Sequence, residues 1–189
     1  MKIRYVLLSF SLAIMLLGSC GSANKIMEPT AKSRALDEMI TSKKFVFEAE
    51  WARPLPTLAM NSIMQSGLMP PGSSAAQINI TGSSYYFRME GDTVSAQLPY
   101  FGERQMGGGY GSDSGIDFKG VPEDLKIERD ENKLSYSITF NISKEIETYR
   151  CRLVLSRNQR GNLLINSSQR FTIRYEGDVS AIEENTSAR

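Results

Sequence analysis

The chain has 189 residues, with 22 Lys and Arg against 21 Asp and Glu, a net charge of +1. Charge so balanced, with both signs mixed along the chain, leaves no electrostatic footprint for nucleic acid. There is no histidine, which removes the commonest general base and the commonest transition-metal ligand together, so neither a metal nor another cofactor is expected.

Residues 1–19 read as an export segment. Lys2 and Arg4 form a basic start, and Tyr5 to Leu17 is apolar except for Ser9 and Ser11. A run of that length matches the core of a signal peptide and is too short to span a bilayer comfortably. It ends in Leu17-Gly18-Ser19-Cys20, which resembles a bacterial lipobox. Cys20 is therefore the expected lipidation site, the first residue of the mature chain and its attachment to a membrane. Only Cys151 remains after it, so no disulfide framework is expected and the fold must rest on packing. Residues 20–29 read as a tether, 30–179 as one β-rich domain and 180–189 as a disordered tail.

Thr30 to Lys44 reads as a helix, with Ala35, Leu36, Met39 and Ile40 forming one apolar stripe. Thr30 or Ser33 suits its start, and Lys43 and Lys44 suit its end. Phe45 to Trp51 alternates as a first strand, with Phe45, Phe47, Ala49 and Trp51 on one face and Val46, Glu48 and Glu50 on the other. Arg53 to Ala75 is irregular, with Pro54, Pro56, Pro70 and Pro71 among Leu58, Met60, Ile63, Met64, Leu68 and Met69. Ala59, Ile63 and Met64 have helical spacing. Methionines adapt to irregular shapes, so this stretch reads either as a plug over an open sheet end or as a lid over an apolar pocket. Ala76–Thr81, Tyr85–Glu90 and Thr93–Leu98 read as strands, the last two joined by a Gly91-Asp92 turn.

Pro99 ends the third of these runs, because proline gives no N–H to a sheet ladder. Tyr100 and Phe101 then offer two large rings, and Gly102 permits a sharp bend. The glycine-rich loop from Gly102 to Gly115 holds Tyr110. Gly108 to Asp113 fits the start of a calcium-binding nonapeptide, but such sites need stacked copies and this occurs once. Ser112-Asp113-Ser114-Gly115 has the look of a serine-protease nucleophile loop, yet without histidine the usual triad cannot form.

From Gly115 onward the alternation is plain. Ile116 and Phe118, then Leu125 and Ile127, then Leu134, Tyr136, Ile138, Phe140 and Ile142, then Tyr149, Cys151, Leu153 and Leu155, then Leu163 and Ile165, then Phe171, Ile173 and Tyr175 mark inward positions. Gly177 is the expected end of order. Cys151 shares the inward parity and reads as an inert core thiol. Arg150, Arg152 and Arg174 point outward and form an anion site only if their strands are neighbours; solvation and edge protection are the plainer reading.

Three stretches carry a resemblance: Leu98-Pro99-Tyr100-Phe101-Gly102, Gly115-Ile116-Asp117-Phe118-Lys119-Gly120, and Ser168-Gln169-Arg170-Phe171-Thr172-Ile173-Arg174-Tyr175-Glu176-Gly177. Together they resemble a family of Bacteroidetes lipoproteins known as a domain of unknown function, family 4251, over most of Lys43 to Val179. The resemblance implies an exported, lipid-anchored, single β-rich domain, and no activity or catalytic residue. Asp92-Thr93-Val94 is similar to the O-glycosylation sequon of that phylum. No acidic run follows Cys20, which in such lipoproteins implies retention facing the periplasm, on the inner leaflet of the outer membrane.

The expected fold is mainly β: an antiparallel sandwich or partly open barrel of about eight to ten strands with one N-terminal helix. The last five strands are expected to form a meander. The expected function is a non-catalytic binding or accessory module, with Tyr100, Phe101, Met60, Met64 and Tyr110 as candidate contacts for a small apolar ligand or an envelope protein. A structural subunit of an envelope complex is the alternative. A carboxylate-based glycan hydrolase is the third reading; it needs two of Glu48, Glu50, Glu103, Asp113 and Asp117 to converge in a cleft.

Overall fold

Residues 28–67, 69–105 and 115–182 are described by a computed structural model. Cys20, Tyr110 and Asp113 lie outside the described residues, as does the expected export segment.

Helix α1 (Ala31–Ser42) begins in a reciprocal cap. The Thr30 hydroxyl accepts from the Ser33 N–H at 3.2 Å, and the Ser33 hydroxyl accepts from the Thr30 N–H at 2.8 Å. Two donors that the first turn leaves open are thereby satisfied. The helix buries Leu36, Met39 and Ile40, as their spacing predicts. Lys43 ends it in the left-handed conformation, φ 51°, and the chain turns directly into β1 (Lys44–Pro54).

A short second helix, α2 (Leu58–Gln65), lies within the proline-bearing stretch after β1. Nine strands follow: β2 (Ile78–Asn79), β3 (Tyr86–Glu90), β4 (Thr93–Leu98), β5 (Ile116–Gly120), β6 (Glu123–Asp130), β7 (Ser135–Lys144), β8 (Glu147–Leu155), β9 (Arg160–Ser167) and β10 (Ile173–Ala181). Nine strands of one antiparallel sheet are ordered β5-β4-β3-β1-β10-β9-β8-β7-β6, and the short β2 pairs with β1 off that path. The sheet curls into a half-barrel, so of the two expected arrangements the partly open barrel is the one observed. Strands β6 to β10 form the expected meander.

The two edge strands, β5 and β6, are consecutive in sequence and joined only by Val121-Pro122. The chain itself thus bridges the open side where no hydrogen-bonded ladder does. Inside, Phe87 of β3 stacks on Phe140 of β7 with centroids 5.6 Å apart, and Phe118 of β5 meets Tyr149 of β8 at 5.4 Å. These rings join the walls across the interior. Helix α1 covers one end, held by Asp37, which accepts from the Tyr136 hydroxyl at 2.8 Å and pairs with Arg129 at 3.2 Å. This is called the helix end below, and the opposite one the far end.

Three expectations are corrected. Trp51 does not continue the inward face, because a bulge between Ala49 and Trp51 reverses parity and buries Ala52 instead. Only Ile78–Asn79 of the stretch 76–81 pairs as strand. Order does not end at Gly177: β10 continues to Ala181, with Val179 buried and residues 183–189 outside the described set.

Gly177 is needed for a close approach of strands. It lies opposite Ala49, beside the β1 bulge, and a Cβ there would sit 1.8 Å from the Glu48 carbonyl oxygen. That neighbour is backbone in the central β1–β10 pair, so no side-chain rotation relieves the clash. Gly177→Ala is expected to destabilise the fold by at least about 3 kcal/mol. Urea denaturation measures this, and an unchanged midpoint would contradict the packing.

Candidate functional site

The far end is built from segments remote in sequence. Pro99 to Gln105, leaving β4, runs beside Ser168 to Phe171, the link between β9 and β10. Gln105 donates its N–H to the Gln169 carbonyl at 2.8 Å, and Arg104 and Arg170 form an isolated antiparallel bridge. The Tyr100 hydroxyl donates toward the carbonyls of Glu103 at 3.0 Å and Phe171 at 3.2 Å. The Tyr175 hydroxyl donates to the Pro99 carbonyl at 2.6 Å. Gly102 is fitted to this bend: a Cβ there would lie 2.8 Å from the Tyr100 hydroxyl oxygen.

Beneath these loops lies a buried ion pair. Arg170 donates to Glu147 through two nitrogens, Nε to Oε1 at 2.9 Å and Nη2 to Oε2 at 3.1 Å. The side chains are 4% and 9% exposed, so both charges are largely removed from water. Arg170 Nη1 also donates to the Gly115 carbonyl at 2.7 Å, and its guanidinium lies 5.2 Å from the centre of the Tyr100 ring. Glu147 also accepts from the hydroxyls of Ser167 and Tyr149. Burial works to raise the Glu147 pKa, but the bonds from Ser167 and Arg170 outweigh it and hold the carboxyl below its ordinary value. Burial, then the bond to Glu147, pushes the Tyr149 hydroxyl up, so it stays a protonated donor.

The outer surface of the same loops forms a cleft of about 210 Å³ with α2. Met60, Ile63, Met69, Tyr100 and Phe101 give it apolar walls, and Thr57 and Glu103 contribute polar groups. The local reason is the cap of α2: the Thr57 hydroxyl accepts from the Met60 N–H at 3.2 Å, and the helix so started carries Met60 and Ile63 to the cleft. Leu55, Leu58 and Ile63 are exposed on this segment, Leu58 at 87%.

Three of the five candidate contacts, Met60, Tyr100 and Phe101, thus share one cleft. Met64 is half-buried on α2 but does not line it, and Tyr110 lies outside the described residues. The carboxylates considered for hydrolysis are held apart by separate partners. Glu50 pairs with Arg160 of β9 at 2.7 Å, and Asp117 of β5 pairs with Lys144 of β7 at 3.5 Å. Glu48 lies exposed on β1, and Glu103 lies on the far-end loop. Cys151 is fully buried, and burial pushes its thiol well up, away from the reactive thiolate. Arg150, Arg152 and Arg174 share the outer face, but β8 and β10 are not neighbours. Arg152 and Arg174 both register with Leu164 of the intervening β9, placing their backbones about 9.5 Å apart, two strand spacings. Among the described residues no group of His, Cys, Asp or Glu is placed to hold a metal ion.

Arg170 and Glu147 were not singled out from the sequence. A signal was available for Glu147: it lies in phase with Tyr149, Cys151, Leu153 and Leu155, and so points inward. An inward carboxylate requires a buried cation.

Arg170→Met is expected to destabilise the protein by about 3–5 kcal/mol, because Glu147 is left buried without its counter-charge. Adding Glu147→Leu should recover at least half of that loss, which denaturant unfolding of the variants measures. Because the folded pKa of Glu147 is lowered, its stabilisation is present above the unfolded value of about 4.3 and is lost as pH falls through the folded value. The urea midpoint of the parent should therefore fall more steeply below about pH 5 than that of the double variant. Parallel curves would remove this pair from the account of acid sensitivity.

The sequence matches the model of a family described as a domain of unknown function, DUF4251, over residues 28–179. The fold is similar to the crystal structure of a DUF4251 family protein from Bacteroides eggerthii DSM 20697, with a TM-score of 0.55 at 14% identity. The similarity covers 81% of this chain and 89% of that one. No curated protein matches the chain. With the family model covering most of its length, the chain belongs to the DUF4251 family.

Proposed function

We propose that the protein is a lipid-anchored binding module of the periplasm, held to the outer membrane through Cys20, whose far-end cleft receives an apolar group. The observation that carries this reading is the cleft itself, where Met60, Ile63, Met69, Tyr100 and Phe101 wall about 210 Å³ open to the surface. That volume is below the usual range for a whole drug-sized ligand. It is above the roughly 150 Å³ that admits a benzene ring. The occupant is then one ring or a short alkyl end of an amphipathic molecule. Methionine side chains suit this, since they reshape around different groups. Tyr100 is held from below by Arg170 and by two backbone carbonyls, so one wall is rigid while the α2 wall is not so tied.

A second reading rests on a different observation. Leu55 and Leu58 are exposed next to the cleft at 48% and 87%. An apolar rim around a one-residue pocket is the form that receives an aromatic or aliphatic anchor of a partner protein. Under this reading the occupant is a side chain of an envelope protein.

Native mass spectrometry of the protein purified from a bacterium of the same phylum tests both. An added mass of a few hundred daltons, reduced at least about tenfold in occupancy by Ile63→Asp, is expected for a small amphipathic ligand. A bare mass, with a photo-crosslinker at position 58 joining one stoichiometric protein neighbour, assigns the cleft to a partner. A bare mass with no such neighbour overturns the proposal.

A further inference from the structure

A second concavity lies on the outer face of the sheet toward the helix end. It is a groove of about 730 Å³ across β6, β7 and β8 and the turns that follow β6 and β8. That volume falls within the range of small-molecule sites. Arg129, Lys133, Arg152, Arg157 and Arg160 line it against Glu128 and Asp130, an excess of three positive charges in a chain of net charge +1. The charge of the protein is therefore not spread evenly; it is gathered here.

Three of those cations are already neutralised. Arg129 pairs with Asp37 at 3.2 Å, Lys133 with Asp130 at 3.6 Å, and Arg160 with Glu50 at 2.7 Å and Asp178 at 3.0 Å. Arg152 and Arg157 meet no carboxylate among the described residues. Arg152 Nε donates to the neutral Ser137 hydroxyl at 3.3 Å, which leaves the other nitrogens of the fork toward the groove. Arg157, in the β8–β9 turn, is half-buried. A guanidinium partly withdrawn from water and without a counter-charge favours the approach of an oxyanion, which it binds through two parallel N–H donors. The remaining lining is rich in hydroxyls: Ser135, Ser137 and Ser156, with the Asn158 amide beside them. Such groups match the hydroxyls of a polyol.

We propose that this groove binds an oxyanion, phosphate or carboxylate, carried on a hydroxyl-rich molecule. Arg152 and Arg157 take the anion, and the serines take the hydroxyls. Two sources share that chemistry, a soluble acidic saccharide and an anionic lipid headgroup. The headgroup source gains support from position, because the groove adjoins α1 through Arg129 and Tyr136, both bound to Asp37. The site is separate from the far-end cleft and stands or falls independently of it.

The test uses the chain from residue 21 onward, which retains every described residue and has no lipid of its own. Glucose 1-phosphate, glucuronate and neutral glucose are titrated by calorimetry at low salt. Vesicles of phosphatidylcholine, with and without phosphatidylglycerol, are tested by co-sedimentation. Binding of an anionic sugar in preference to glucose, or of the anionic vesicles alone, is expected, and which arm responds identifies the source. Arg152→Gln with Arg157→Gln should weaken that binding at least about tenfold, and added salt should weaken it in the parent. Ile63→Asp, at the far end, should leave it unchanged. Anionic probes that bind no better than glucose, with both vesicles equal, would overturn the proposal, as would a double variant that binds like the parent.

Discussion

Phe87 against Phe140 is the contact that lets an incomplete barrel exist. A closed barrel is held by a continuous ladder, but here β5 and β6 are edges with no ladder between them. The walls must therefore be joined by side chains across the interior. Phe45 and Phe87 lie 6.2 Å apart, Phe87 and Phe140 5.6 Å, Phe140 and Phe118 6.4 Å, and Phe118 and Tyr149 5.4 Å. This series passes from β1 through β3, β7 and β5 to β8, and so crosses the interior more than once. Each ring buries about 150–250 Å², and each well-oriented pair adds about 0.5–1.5 kcal/mol beyond its area. The consequence for function is spatial. An interior occupied by rings directs ligand chemistry to the ends and the outer face, where both concavities described above are found.

The far end meets a different problem, that of ordering loops without a regular ladder. Arg170 and Glu147 do this at an energetic cost, since desolvating two charges offsets much of their attraction. What the pair adds is position. Its donors and acceptors tie β8 through Glu147, the β9–β10 link through Arg170, and the start of β5 through the Gly115 carbonyl. Tyr100 lies over the guanidinium and closes the fourth side. The three stretches by which the sequence resembles its family, around Pro99, Gly115 and Arg170, are far apart in the chain and meet at this point. Their shared feature is physical: they are the parts of one buried polar joint.

Much of the fold was legible because the sheet buries one face. Period-two runs such as Tyr136 to Ile142 and Tyr149 to Leu155 carry their inward parity openly, and short turns between them specify a meander. What escaped reading depends on contacts between distant residues. The reversal at Trp51 arises from a bulge against β10, which no local pattern in β1 announces. Gly177 looked like a terminator because glycine punctuates loops, whereas here it makes room for the Glu48 carbonyl of another strand. The Met60, Tyr100 and Phe101 grouping was approached through composition, an apolar methionine-rich loop and a pair of rings. The outer groove was less accessible, since Arg152 is one alternating outward residue and Arg157 one turn residue until the curl of the sheet brings them together.

The two concavities differ in chemistry and in place, and the tether gives that difference a direction. The chain enters the fold at α1, which covers the helix end. With lipid on Cys20, as proposed, about ten residues at roughly 3.5 Å each separate the bilayer from Thr30. The ten-residue β7 spans about 33 Å, so the far end can stand a full barrel length beyond that attachment. An apolar rim that served to hold the protein on a membrane would belong beside the tether, where its burial would reinforce the lipid. The exposed Leu55 and Leu58 lie instead at the far end, while the side nearest the tether presents arginines and serines. That arrangement favours polar contact near the membrane surface and apolar recognition away from it.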